Sequence, residues 1–226
     1  MLVWQTGGLT LHAVEPSRRQ MRLAAHQISL WYSDPHNQAT MNGPLTQDAQ
    51  DVLEFFTDLQ TENGRYFLLF CDGKLVGDGD FRHIHEGHAE YTLMIGARDQ
   101  QGQGLGTRFS LMLHAFAFGV LQLSAVYLAV TMGNQAGRRC YEKLGYVPDD
   151  TPLARSYAQL SDDLTMVLSA EVFWARHGGQ MPAFRRGSPT ELLVFEATAA
   201  WRLSCLVRRP VLPVQAGGGG PQARRP

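Results

Sequence analysis

Cysteine is scarce in this chain: Cys71, Cys140 and Cys205 are the only three among 226 residues. An odd, dispersed set makes a poor disulfide framework and fits reduced thiols in a cytoplasm better. Net charge is almost absent, at −1, so no overall field draws the chain to nucleic acid or to a membrane surface. Long apolar runs are missing as well. The most apolar stretch, 108–121, is too short to span a bilayer and too apolar for a surface helix, which predicts a buried helix. Residues 1–8 lack a basic start and an apolar core, so no signal peptide is expected. No internal repeat is evident. With 44% hydrophobic residues, the chain can build one sizeable core, or one domain plus an appendage.

Glycine is concentrated where it bears on function. Gln101-Gly102-Gln103-Gly104-Leu105-Gly106-Thr107 lies between a strand-like segment, 89–96, and the apolar helix 108–121. A glycine turn that opens a helix leaves several backbone N–H groups unpaired and pointing one way. With the positive end of the helix dipole, they suit a pyrophosphate. A mononucleotide P-loop needs Gly-Lys-Ser/Thr, and Leu105-Gly106-Thr107 has no lysine. A dinucleotide fold needs Gly-x-Gly-x-x-Gly. Here the spacing is Gly-x-Gly-x-Gly, and no acidic residue caps the next strand, 124–131.

Around the loop, patterns predict strands at 9–14, 66–71, 74–81, 89–96, 124–131 and 164–168. A capping box at Ser17 starts a helix with Met21, Ala24, Ile28 and Trp31 on its apolar side, and Thr46 is the expected cap of a second helix reaching Gln60. Asp72-Gly73 marks a hairpin, and 83–88 reads as a loop. The order β-α-α-β-β-β-α-β-α-β predicts an α/β fold with a mixed sheet. Beyond it, Ser188-Pro189 predicts a helix running to about Leu203, either covering the sheet or serving a homodimer.

Downstream of the loop, Asn134, Tyr141, Lys143, Gly145 and Tyr146 stand in the pattern Asn, helix with Tyr, Lys-x-Gly-Tyr. Together with Gln101-x-x-Gly104-x-Gly106, this resembles the Gcn5-related N-acetyltransferase (GNAT) superfamily. The resemblance covers roughly 9–169 and is strong over 89–146. One departure is Gly137, where the family usually has alanine; glycine costs a helix roughly 1 kcal/mol.

The resemblance implies a mixed, mostly antiparallel central sheet flanked by helices. The domain would be 1–169, followed by a partly helical extension over 170–209 and a disordered tail over 210–226. It implies acetyl-CoA as co-substrate and no metal. Gln101 to Thr107, namely Gln101, Gly102, Gln103, Gly104, Leu105, Gly106 and Thr107, would bind the pyrophosphate. Met94 or Ile95 would aim a main-chain N–H at the thioester oxygen, and Asn134 would bond the pantetheine amide or cap its helix. Glu90 is the candidate base, acting through water, and Tyr141 the candidate acid, since a phenol is protonated at neutral pH. Arg98, Arg108, Arg138, Arg139 and Lys143 are candidates for the 3′-phosphate.

The resemblance also implies a primary-amine acceptor, on a small molecule or a peptide. Asp34, Asp48, Asp51, Glu54, Asp58 and Glu62 make the first two helices acidic, which favours a cation or simply solvates a helix face. His83, His85 and His88 raise a metal site as the lesser alternative to a polar hairpin near the acceptor cleft. Two readings compete with catalysis: a non-catalytic acyl-CoA sensor, and an interaction protein working through its C-terminal segment.

Overall fold

A computed structural model describes residues 1–41 and 48–179 in full, and the backbone of 184–186, 191–196 and 202–207. The chain opens with β1 (Leu2–Thr6) and β2 (Leu9–Val14), followed by α1 (Arg18–Tyr32), α2 (Pro35–Gln38) and α3 (Ala49–Thr61). A meander of β3 (Arg65–Cys71), β4 (Lys74–His85) and β5 (His88–Ile95) leads to α4 (Leu105–Gly119). Then come β6 (Ala125–Val130), α5 (Gln135–Leu144), β7 (Val147–Pro148), α6 (Pro152–Arg155), β8 (Leu164–Ser169) and α7 (Ala170–His177). The last described strands are β9 (Phe184–Arg186), β10 (Glu191–Glu196) and β11 (Arg202–Val207).

Nine strands form one sheet in the order β7-β8-β6-β5-β4-β3-β2-β1-β9, and β10 and β11 pair separately. Among these pairings only β5–β6 is parallel. The predicted mixed, mostly antiparallel sheet is therefore the observed one.

Local chemistry explains most boundaries. Ser17 caps α1 through the expected box: Gln20 N–H donates to its hydroxyl, and the Gln20 side-chain oxygen accepts from Ser17 N–H. The α3 cap is Asp48, with Asp51 closing the box; Thr46, the predicted cap, lies outside the described residues. Two-residue turns with both residues at positive φ join β1 to β2 at Gly7-Gly8, β3 to β4 at Asp72-Gly73, and β4 to β5 at Glu86-Gly87. Such turns match the twist of a hairpin. The segment predicted as a loop, 83–88, is thus mostly strand, with only Glu86-Gly87 turning. The helix expected over 189–203 is replaced by β10 and β11, whose runs Leu192-Leu193-Val194-Phe195 and Leu203-Ser204-Cys205-Leu206-Val207 are rich in strand formers and pair with each other. The described helical part of the extension is α7. The predicted tail, 210–226, lies outside the described residues.

The core is continuous. Phe67, Phe81, Phe109, Met112, Leu113 and Tyr91 are buried where α4 lies against the sheet. Phe173 of α7 is fully buried in the same cluster. Among the described residues, no helix is long and apolar enough to cross a membrane.

Candidate active site

β5 and β6 run side by side only at their starts. Pairing stops at Glu90↔Tyr127, although β5 continues to Ile95 and β6 to Val130. The other edge of β5 stays paired with β4 as far as Gly77↔Ile95. From Tyr91 onward, β5 therefore offers a strand edge to a gap. Such an edge can take an extended chain with amide groups, by strand addition.

The orientation of that edge can be read from β4. A Cβ at Gly77 would lie 2.1 Å from the Met94 carbonyl oxygen, so the Met94 main chain faces β4. Alternation along a strand sends the Leu93 and Ile95 main-chain groups to the gap. Of the two donors expected from sequence, Ile95 is on the gap side, with Leu93 as an unforeseen neighbour. Met94 contributes its side chain to the cavity instead.

The glycine loop lies at the far end of the gap. Gly102 and Gly104 have φ of 72° and 74°, and Gly104 caps α4 in a left-handed conformation that other residues adopt at a cost. The first helical bond off the loop is Arg108 N–H to the Gly104 carbonyl, leaving the amides of Leu105, Gly106 and Thr107 without an acceptor in the helix. Gly106 has φ outside the left-handed region, and a Cβ there would meet Leu93 and Cys140 at ordinary distances of 3.7 and 3.9 Å.

Gln101 is a tie rather than a free ligand. Its Nε2 donates to the Ile95 carbonyl at 2.7 Å and to Asn37 Oδ1 at 2.9 Å. Asn37 in turn donates to the carbonyls of Trp31 and Gly96. Arg98 pairs with Asp34. The end of α1 is thereby stitched to the loop. Gln103 and Thr107 also bond locally, to the Asp99 carbonyl and to Cys140. Among the proposed phosphate ligands, Arg138 pairs with Glu142 and Arg108 donates to the Gln103 carbonyl.

Asn134 caps α5: its Oδ1 accepts from Gly137 N–H at 2.8 Å, and its Nδ2 donates to the Thr40 carbonyl at 3.1 Å. A Cβ at Gly137 would lie 2.8 Å from the Asn134 amide, so the glycine that departs from the family pattern gives this cap its room.

The gap opens into a cavity of about 260 Å³ lined by both predicted catalytic residues, Glu90 and Tyr141, together with Thr92, Met94, Thr131 and Asn134. Tyr32 of α1 and Phe55 of α3 close it from the helix side. A second, more open hollow of about 480 Å³ shares Arg82, Glu90, Tyr157 and Gln159 with it and continues to His83, His85 and His88.

Glu90 is 8% exposed, and burial pushes its carboxyl up to about 7, with Arg82 pulling the other way. His83 Nε2 stands 3.5 Å from it, and the His83 ring stacks on Tyr157. Among the described residues, no three metal-ligating side chains gather into a site. Burial raises the Tyr141 phenol above its ordinary value, which keeps it protonated at neutral pH. Its ring packs edge-on against Tyr146, and the Tyr146 hydroxyl bonds His114 Nε2 at 2.6 Å.

Sequence reasoning missed two buried acids beside the cavity. Asp78 and Asp80 are both 1% exposed, on the same face of β4 as Arg82. Register places them opposite Met94 and Thr92, with Arg82 opposite Glu90. Arg82 binds Asp80 through two nitrogens, at 2.8 and 3.0 Å. The acids predicted to flavour the acceptor region sit elsewhere: Asp34 pairs with Arg98, Asp48 and Asp51 cap α3, and none of the six lines the cavity. The alternation Asp78-Gly79-Asp80-Phe81-Arg82 within a strand was the available signal.

A parallel pair that splays, a glycine loop capping a buried helix and a buried carboxyl beside the gap suit an acyltransferase fed by an extended, phosphate-bearing thioester. Residues 15–147 match the family described as Acetyltransferase (GNAT) domain, and the chain belongs to that family. The spermidine N(1)-acetyltransferase of Escherichia coli K12 is 33% identical over 147 residues, covering 60% of this chain and 73% of that protein. Two solved structures share the fold. RimJ of Mycobacterium smegmatis, in complex with CoA-disulfide, has a TM-score of 0.61 at 19% identity, covering 82% of this chain and 95% of its own. Aminoglycoside acetyltransferase AAC(6′)-Ib, in complex with coenzyme A, has a TM-score of 0.59 at 17% identity, covering 74% and 98%. The chain is an acetyl-CoA-dependent acyltransferase.

Proposed function

We infer that the protein moves the acetyl group of acetyl-CoA to a primary amine of a small cationic acceptor, by direct attack in a ternary complex. The observation that carries this reading is Glu90, a buried carboxyl poised near neutrality where β5 and β6 part. The loop amides at the start of α4 would hold the pyrophosphate, and the free edge of β5 the pantetheine. The Ile95 N–H would polarise the thioester carbonyl. Glu90 accepts the first ammonium proton through a chain of waters, leaving a neutral nitrogen to attack the carbonyl carbon; the adduct nitrogen then gives up a second proton to become the neutral amide. As the C–S bond breaks, Tyr141 gives its proton to the leaving thiolate.

A cationic acceptor fits the charge of the site. Of the charged groups, Glu90 and Arg82 line the cavity, while Asp80, bound to Arg82, and Asp78 lie buried behind them, so carboxyls outnumber guanidinium around the acceptor end. The acceptors named for two of the similar proteins, spermidine and aminoglycosides, carry several amines and agree with this charge.

The test is thiol release from acetyl-CoA with a panel of polyamines, aminoglycosides and peptide N-termini. Turnover with a multiply charged small amine is expected. Glu90→Gln and Tyr141→Phe should each lower kcat about 10²- to 10⁴-fold while coenzyme binding stays intact. Coenzyme binding with no transfer to any amine would make the chain an acyl-CoA sensor instead.

A further inference from the structure

Asp78 has no role in the mechanism just described, yet its setting is unusual. It is buried beneath the cavity on β4. Its Oδ2 accepts two hydrogen bonds, from Tyr66 at 2.6 Å and from Tyr32 at 3.0 Å. Its Oδ1 is buried with no hydrogen-bond partner among the described residues. A carboxylate that is solvated on only one oxygen has a strong reason to bind a proton.

The two phenols differ in one respect. Tyr32 lines the cavity, whereas Tyr66 is covered by Phe55 and Phe56, edge-on at 6.3 and 5.8 Å. The Tyr32 hydroxyl spends its proton on Asp78, so its oxygen lone pairs are open to a donor in the cavity. Register adds a second argument. Asp78 stands opposite Met94, next to the Ile95 donor, while Glu90 is four residues back along β5, about 13 Å away. An amine meeting the thioester near Ile95 is closer in register to Asp78 than to Glu90.

We propose that Tyr32 and Asp78 form a proton-accepting relay for the acceptor amine, with Tyr32 touching the amine and Asp78 acting through it. This rests on the amine-transfer reading. In the step, Glu90 has already taken the first ammonium proton and the neutral nitrogen has attacked the thioester carbonyl; an N–H bond of the now positive adduct nitrogen breaks and its proton goes to the Tyr32 oxygen. Tyr32 passes its own proton to Asp78 Oδ2, and the N–H electron pair stays on nitrogen. Cationic adduct nitrogen and carboxylate thus become neutral nitrogen and carboxylic acid, and the proton leaves through Tyr32 after the product departs. Burial pushes the Asp78 carboxyl up to about 7, against the pull of Tyr66 and Tyr32, so both of its forms are populated near neutrality. The charged and titratable groups facing it are Tyr32 from α1, Tyr66 from β3, and Asp80 and Arg82 on its own strand.

The test is kcat and amine KM from about pH 5.5 to about pH 9 for the wild type, Tyr32→Phe, Asp78→Asn and Tyr66→Phe. Tyr32→Phe and Asp78→Asn should each lower kcat by roughly 10- to 100-fold, flatten the acid limb near neutrality, and move amine KM less than about threefold. The double variant should be no slower than the slower single one. Tyr66→Phe removes an equivalent bond from Asp78 without touching the cavity, and should keep kcat within about threefold. A wild-type profile in Tyr32→Phe, or equal damage from Tyr66→Phe, would overturn the relay. Should Asp78→Asn fail to fold, the two tyrosine variants still decide. A wild type that acetylates no amine would instead sink the transfer reading, and the relay with it.

Discussion

At the scale of single residues, two carboxyls on one sheet face hold protons far above the ordinary range, for the same reason. Asp78 and Glu90 are both buried, and Arg82, which pulls each the other way, is bound to Asp80. This has a consequence for stability. An unfolded Asp78 gives up its proton near 3.8, and the folded chain keeps it to about 7. Between those values the folded state binds more protons, so this group's contribution is full at low pH and is lost as pH rises through about 7. Asp78→Asn removes that dependence. The variant's Tm minus the wild type's should therefore grow more positive by several degrees from about pH 4 to about pH 7. A difference that stays flat across that window would contradict the buried-acid account. His114 is the opposite case: burial draws it down to about 4, so it stays neutral while holding Tyr146 against the Tyr141 ring.

Among elements, the loop and helix start of α4 were legible in the sequence, since glycine spacing is a local property. The structure ranks those glycines. Gly102 and Gly104 need a left-handed backbone, and Gly106 does not. Gly104→Ala should cost about 1–2 kcal/mol and weaken coenzyme binding, while Gly106→Ala should be nearly neutral. Thermal shift with saturating acetyl-CoA separates them: a ligand at about 100 times its Kd adds about 2.7 kcal/mol, or several degrees, to a competent variant. In α5, Gly137→Ala should push the Asn134 amide off its cap, setting a helix-propensity gain of roughly 1 kcal/mol against a similar capping loss. No gain in Tm despite the better helix former is the expected reading; a clear gain would show that the cap is not held by Gly137. The hairpin at 83–88 escaped the sequence reading because Glu86 adopts positive φ without being a customary turn residue. The C-terminal helix failed for a different reason. A good cap at Ser188 and Pro189 is a local signal, and strand pairing between 191–196 and 202–207 is not.

At the scale of the molecule, α7 follows β8 without a break, and Phe173 is fully buried against Phe118 and His114. We place the end of the folded domain beyond α7 rather than at Ser169, with β9 as the edge strand of the same sheet. Truncation after Ser169 should cost at least about 3 kcal/mol, the scale of deleting a buried phenylalanine, whereas truncation after Gly179 should leave acetyl-CoA binding intact. Equal Tm for the two truncations would restore the boundary at Ser169. The same continuity ties the glycine loop to the helices that close the cavity. Asn37, Gln101, Arg98 and Asp34 join α1 and α2 to the loop, and a Cβ at Gly96 would overlap the Trp31 ring at 2.3 Å.

By itself, the sequence determined what depends on near neighbours along the chain: the glycine loop, the caps of α1 and α5, the Asp72-Gly73 turn, and the pairing of Glu90 with Tyr141 as chemical candidates. Family membership followed from those spacings. Tertiary structure alone decided which main-chain groups face the gap, because that depends on the edge of β5 that β4 leaves free. It also decided that the buried acids at the cavity are Asp78, Asp80 and Glu90, whereas none of the acids of the first helices lines it. Burial sets the charge state of a carboxyl, and burial is a property of what packs over it, here Tyr32, Tyr66 and Phe55, brought from three distant parts of the chain.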